Sequence, residues 1–469
     1  MTIVAADLRF LSSERMTDEL TGFSGAQGGG AASGPVVLTG VPNSVFPPAM
    51  PSALVTGRRQ LRLLYPAVLS NNNTQASTAG VAVYQRAADA AVSLFAFTAA
   101  AVNGPSPYAS VSVLGDVDAA VASAKVRART LLGGPSAAGN LVAAGGNALS
   151  GLPDLSAFLA VGDKVSVRSF AARVVWRTVT AFNGPAGTLT FSGTGLTGAA
   201  AGALVELQAY GDNELVISAP GHTTAGVAAG AQQVVVDRLE VRVLPTAPAP
   251  VFIGLVDEWR TVANLGGLLP MFAPGATVLV DDPANGTAPE VRVIESVNYA
   301  TGVVRFTATL ANAYATGTRV SRLLDLGTLQ ARVVVPAFTQ QAWTRTWADT
   351  PTGATLAARY TGTIAMNNAG GITDRWAIVF SSATNFNLVS ERFGQIAAGN
   401  TASNFVPLNP LTSQPYFTLP ASGWGSGWLQ GNVVRFNTQG AHAGVWYGRC
   451  IAPGAAGADE GGLIIRADV

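Results

Sequence analysis

The chain has 469 residues, of which 28 are basic and 27 acidic, so the formal charge is +1 and only 12% of positions are charged. At about 150 residues per domain this is a multidomain chain, and its sparse, scattered arginines exclude a surface built to neutralise nucleic-acid phosphates. One cysteine, Cys450, rules out an intrachain disulfide and a cysteine metal cluster, and two distant histidines, His222 and His442, argue against a zinc site.

The N-terminus carries Asp7, Arg9, Glu14 and Arg15 before any long apolar stretch. It therefore lacks the basic-then-apolar order of a secretory signal, and synthesis in a cytoplasm is expected. The run Ala90 to Val102 is broken by Ser93 and Thr98 and is too short to span a bilayer.

Abundant Gly, Pro, Ala, Val and Thr read as short strands punctuated by turns. The fold class expected is all-β: several small antiparallel sandwich or barrel domains in series, including two similar inserted β-modules, with very little helix. In chain order we expect an N-terminal β domain making assembly contacts over 1–115, then a first β-module with a short helical lead-in over 116–212. Connecting strands follow over 213–248, a second, similar module over 249–328, and a Trp-rich C-terminal β-sandwich over 329–469. The lead-in is the Ala-rich stretch Asp116 to Leu132. Alternation marks strands at 164–168, 232–243 and 290–294, where every second residue can face a core. Small-residue stretches such as Gly25 to Ser33 and Pro135 to Gly146 read as surface loops or segments ordered by partners.

The two modules emerge when the chain is laid on itself at a shift of 113 to 115 residues. Gly162 then meets Gly275, Phe191 meets Phe306 and Gly202 meets Gly317, each unit running through a strand, a turn glycine, a strand ending in Phe and a further Gly-turn.

Acid-base chemistry needs convergent titratable groups. Both histidines sit in turn-like Gly-rich settings, which points to surface loops, and no nucleophile elbow, zinc motif or phosphate loop is present. No catalytic, cofactor-binding or metal residue is assigned and no cofactor is expected. Asp281-Asp282 and Asp459-Glu460 are the densest acidic pairs; a calcium site or glycosidase dyad there is outweighed by solvated turns. Trp424, Trp428 and Trp446 are the candidate glycan or partner contacts, with plugs of a sandwich core as the favoured reading for Trp424 and Trp428. Apart from Lys125 and Lys164 every basic residue is Arg, which with low net charge suits a subunit of an assembly.

Both ends carry a more specific pattern. Ala6-Asp-Leu-Arg-Phe-Leu-Ser-Ser-Glu-Arg-Met-Thr-Asp18 precedes Gly28-Gly-Gly30 and Val41-Pro-Asn-Ser-Val-Phe-Pro47. The closing block holds 372–384, Pro415-Tyr-Phe-Thr418, Gly423-Trp-Gly-Ser-Gly-Trp428, 431–438 and Ile464-Ile-Arg-Ala-Asp468. These segments resemble tail or baseplate structural proteins of Mu-like transposable phages with long flexible tails. The resemblance covers about the first 65 and last 110 residues. It implies a non-enzymatic virion protein made in the host bacterial cytoplasm, partnered by copies of itself in a ring and by hub, distal-tail or fibre proteins, with no nucleic acid and no membrane span. Alternatives are a receptor- or glycan-binding tail protein contacting the host surface, a tail-associated carbohydrate-degrading enzyme and, disfavoured by the missing signal, a bacterial surface adhesin or S-layer subunit.

Overall fold

A computed structural model of the chain describes residues 3, 5–16, 29–37, 41, 43–48, 51–56, 58–71, 79–85, 92–98, 131–132, 140–141, 147–150, 161, 164–169, 175–186, 188–192, 205–210, 216–217, 221–237, 240–242, 268–270, 272, 275–298, 301–351, 355–451 and 461–467. The fold is all-β, as expected: its sheets are antiparallel, and the described helices are the single turns Ala5–Asp7 and Ala421–Gly423 and the short α-helix Pro51–Thr56. The helical lead-in expected from Asp116 lies outside the described residues except at Leu131–Leu132, which is strand.

The N-terminal region and the extreme C-terminus build one unit, called here the hub. Its six-stranded sheet runs in the order Val216–Ile217, Val92–Thr98, Val445–Ile451, Arg58–Val68, Leu8–Arg15, Gly29–Val36. A three-stranded sheet, Leu324–Gly327, Ala79–Gln85, Gly461–Ala467, lies against it. Phe10, Leu64, Leu94 and Tyr447 of the larger sheet and Val81, Val83 and Leu324 of the smaller share one buried core. The consecutive division of the chain is therefore corrected at its end. Val445–Ile451 and Gly461–Ala467, grouped by composition with the C-terminal sandwich, instead pair into the hub, for example through Val445↔Leu64 and Ile464↔Ala82. The glycine-rich stretch expected as a loop is also partly strand, Gly29–Val36.

The two modules share a topology. In the first, strands follow the order Leu131–Leu132, Val205–Tyr210, Lys164–Ser169, Val175–Asn183, Thr188–Phe191, Ala148–Ser150, Asn140–Leu141. In the second the order is Gly221–His222, Arg319–Arg322, Thr277–Asp282, Thr287–Asn298, Val303–Phe306, Gln233–Val235. Each has a bulge at the same place, where Val179↔Phe191 gives way to Ala181↔Thr190 and Ile294↔Phe306 to Ser296↔Arg305. Gly221–His222 and Gln233–Val235 belong to the second module, so much of 213–248 is part of a barrel instead of a connector. That barrel closes: Thr223 bridges Val236, and the Asp237 N–H donates to the His222 carbonyl at 2.9 Å. Its interior holds Phe272, Val278, Val280, Ile294, Val304, Phe306 and Val320.

The C-terminal sandwich has a five-stranded sheet ordered Arg332–Gln340, Val433–Gln439, Asp374–Phe380, Asn385–Ser390, Gly394–Asn400. Alternation sends Trp376, Ile378, Phe380, Val434 and Phe436 to one face, where Tyr360, Phe405, Phe417, Leu419 and Trp428 cover them. The sandwich meets the hub through Ala331, Leu329 and Ala441 packed on Val68 and Ala79, and the second barrel meets it through Leu279 and Leu323 on Ala82.

Candidate functional site

The three tryptophans proposed as contacts are structural. Trp428 is 3% exposed; its ring stacks on Phe380 at 4.4 Å and its indole N–H donates to the Gly425 carbonyl at 2.8 Å. Trp446, 0% exposed, sits on the central hub strand opposite Leu63 and Phe97. Trp424 is partly buried, 4.7 Å from Tyr360 and 5.0 Å from Phe386. Gly423, flanking it, lies so close to Gly362 that a Cβ there would fall 2.6 Å from the Gly362 backbone. Trp428 and Trp446 are buried out of a sugar's reach and Trp424 packs on Tyr360 and Phe386, so the contact role falls; Trp424 and Trp428 belong to the sandwich core, whereas Trp446 belongs to the hub.

The acidic pair Asp281-Asp282 is divided by strand alternation. Asp281 pairs with Arg319 at 2.5 Å. Asp282 turns inward, 4% exposed, accepting bonds from the Asn285 side chain at 3.0 Å and Thr318 Oγ1 at 3.1 Å. The Asn285 and Thr318 bonds outweigh desolvation and hold its pKa below the usual value. A carboxylate whose lone pairs fix two turns is a brace; among the described residues neither a calcium ligand set nor a glycosidase dyad is assembled around it. Asp459-Glu460 lies outside the described residues.

A second brace went unread in the sequence. Val278 and Val280 face the barrel interior, and their cross-strand partners Arg292 and Glu290 face the same way, while Val291 packs on the hub side. Glu290 accepts from the Ala311 and Asn312 backbone N–H groups at 2.8 and 2.7 Å and from the Tyr314 hydroxyl at 3.1 Å, with Arg292 paired to it. Burial opposes the charge, but these donors and Arg292 prevail, and the carboxyl pKa lies below its ordinary value. The same burial pushes the Tyr314 hydroxyl far up.

The histidines part company. His222 is half exposed, its imidazole 3.5 Å from the Asp237 carboxylate. His442, expected on a surface loop, instead lies in the seam between sandwich and hub, bridging Ala67 and meeting Tyr65 edge-on at 5.2 Å. Desolvation, helped by the Arg392 charge, pushes its pKa down to about 4, so it is neutral. Asp374, 2% exposed, accepts from Ser390 Oγ and from the Arg375 N–H at 2.8 Å, and burial pushes it up to about 6.

On the outer face of the sandwich sheet, Arg435 is 1% exposed and lies over the edge-to-face pair Trp343 and Trp347, its guanidinium carbon 5.2 and 5.5 Å from the ring centroids. It donates to Gln340 Oε1 at 2.7 Å and to the Thr344 carbonyl at 2.8 Å. Arg375 beside it joins Asp349 at 2.8 Å and Glu391 at 3.1 Å, and Asn437 also holds Asp349 at 2.7 Å. Together these side chains strap residues 341–349 across the sheet. Sequence offered no signal for this beyond two tryptophans four apart.

No family model matches the chain. Nor does any curated protein match it. Among solved structures, two particles of infectious bursal disease virus are similar at very low level. The VP2 subviral particle is 11% identical, covering 74% of this chain and 77% of that one with a TM-score of 0.09. The T=1 particle is 12% identical, covering 74% and 78% with a TM-score of 0.10. Likeness of that order carries no argument about fold or role.

Proposed function

We propose that the chain is a non-enzymatic structural subunit of a phage tail tip or baseplate, a virion component that joins copies of itself and other tail proteins in a ring. The observation that carries this reading is the construction of the hub. Leu8–Arg15, within the opening segment that resembles the phage tail family, pairs with Arg58–Val68, and Gly461–Ala467, within the closing one, pairs with Ala79–Gln85 across the same core. A chain closed in this way presents its two modules as insertions, which suits a ring-forming hub whose modules point toward fibres or the host surface. The charged groups support the same reading, since Asp282, Glu290, Arg375 and Arg435 all fix loops and Asp281 pairs with Arg319 across two strands. The test is electron microscopy of particles released from the host that encodes the chain, with a label fused at Val469. Label at the tail tip is the expected result; unlabelled particles would remove the reading.

A further inference from the structure

Extended chains add to a fold at sheet edges, where backbone N–H and C=O groups on one side have no ladder partner. The second barrel closes on itself, but among the described residues the sandwich sheet is open and its two outer strands differ. Arg332–Gln340 is guarded by Arg332, by Pro336 and by two register breaks. Gly394–Asn400 has neither charge nor proline, and its one register break lies between Leu388 and Val389, before the regular run Ala397 to Asn400.

The direction of the open groups follows from the ladder. The Thr401 N–H donates to the Thr384 carbonyl at 2.9 Å, so alternation turns the groups of Gly399 and Ala397 toward the neighbouring strand and those of Ala398 and Asn400 outward. Side chains alternate too. Ala397 packs on the core, a Cβ on Gly399 would sit 2.5 Å from Phe405, and Ala398 is exposed.

We propose that a second copy of this chain adds its own Gly394–Asn400 strand antiparallel to this one, about a two-fold axis at Gly399. Gly399 then faces the partner subunit's Gly399 as a non-hydrogen-bonded pair, whose Cα spacing of about 4.5 Å suits residues without side chains. Ala398 and Asn400 exchange N–H···O=C bonds with the partner's Asn400 and the partner's Ala398, which uses every outward group of the run. An uncharged segment meets its own copy without repulsion and offers no complement to a charged partner, which favours self-pairing over a charged strand from another protein. The contact is isologous and independent of the tail reading.

The test is the mass of the full chain by sedimentation or light scattering, for the wild type and for Ala398→Pro, Ala398→Lys and Ala398→Glu. Ala398→Pro removes an outward donor that the monomer does not use, at an edge where proline is tolerated. We expect it to weaken self-association by about tenfold to a hundredfold, given roughly 1 kcal/mol per lost bond in each copy. The two charge variants are expected to dissociate when alone and to reassociate when mixed, since residues 398 of the two copies are diagonal neighbours. A monomeric wild type, or an association unchanged in mass and strength by all three substitutions, overturns the proposal.

Discussion

Asp374 and His442 carry opposite pH dependences. The carboxyl of Asp374 titrates near pH 6 in the fold against 3.8 outside it, so the folded state holds its proton more tightly and stability rises as pH falls through 6 toward 3.8. His442 titrates near 4 against 6.5, so the unfolded chain takes up the proton first and stability is lost as pH falls from 6.5 to 4. Between pH 4 and 6 the two slopes oppose, so the combined contribution of Asp374 and His442 is nearly flat. Asp374→Asn is expected to stabilise the chain by about 1–3 kcal/mol at pH 7 and to unmask a loss of stability in acid. His442→Gln is expected to give the reverse slope, stability rising as pH falls. Denaturant midpoints at pH 4.5, 5.5 and 7 separate these outcomes, and parallel slopes in all three proteins would contradict the assignment. Neither shift was legible in the sequence, because Ser390, Arg392 and Tyr65 approach these groups only through the pairing of distant strands.

At the scale of elements, the repeat was legible because its glycines and terminal phenylalanines occupy positions that backbone geometry demands. Phe191 and Phe306 are both fully buried, and Gly275, Gly302 and Gly317 all have φ between 74° and 87°. Gln233–Val235 was legible as a strand, but not that it completes the second module, and Ala148–Ser150, its counterpart in the first, was not legible. In each module the completing strand is joined to the Phe strand by an amide clasp: Asn147 Nδ2 donates to the Phe191 carbonyl at 3.1 Å, and Gln232 Nε2 to the Phe306 carbonyl at 3.0 Å. The Phe191 and Phe306 N–H groups return to the Asn147 and Gln232 carbonyls. Different amide residues at a different offset conceal that equivalence from a fixed-shift comparison. Two glycines with like φ separate backbone strain from contact. Gly317→Ala, with nothing within 4 Å of the new Cβ, is expected to cost about 1–2 kcal/mol. Gly302→Ala brings Cβ within 2.6 Å of the Val236 carbonyl oxygen and is expected to cost clearly more. Thermal denaturation compares them, and equal losses would show that the barrel seam at Val236 yields freely.

For the whole molecule, strands near the two ends share one core, and both the second barrel and the sandwich lean on it through Ala82, Val68 and Ala79. All-β character was evident from composition, whereas closure of the hub by Val445–Ile451 and Gly461–Ala467 was hidden, since pairing across nearly the whole chain leaves no trace in local periodicity. The Trp-rich composition of the C-terminal region was legible, but its meaning required burial: the rings fill a core and brace a strap, so outward contacts fall to sheet edges and module surfaces. The measurement that tests this most directly is a reconstruction of the tail tip of intact particles at a resolution that traces strands. The account predicts density for this chain in a ring, with contacts between copies made by hub and sandwich and with both modules outside the ring wall. A tail tip without the chain, or a ring whose copies touch only through the two modules, would contradict it.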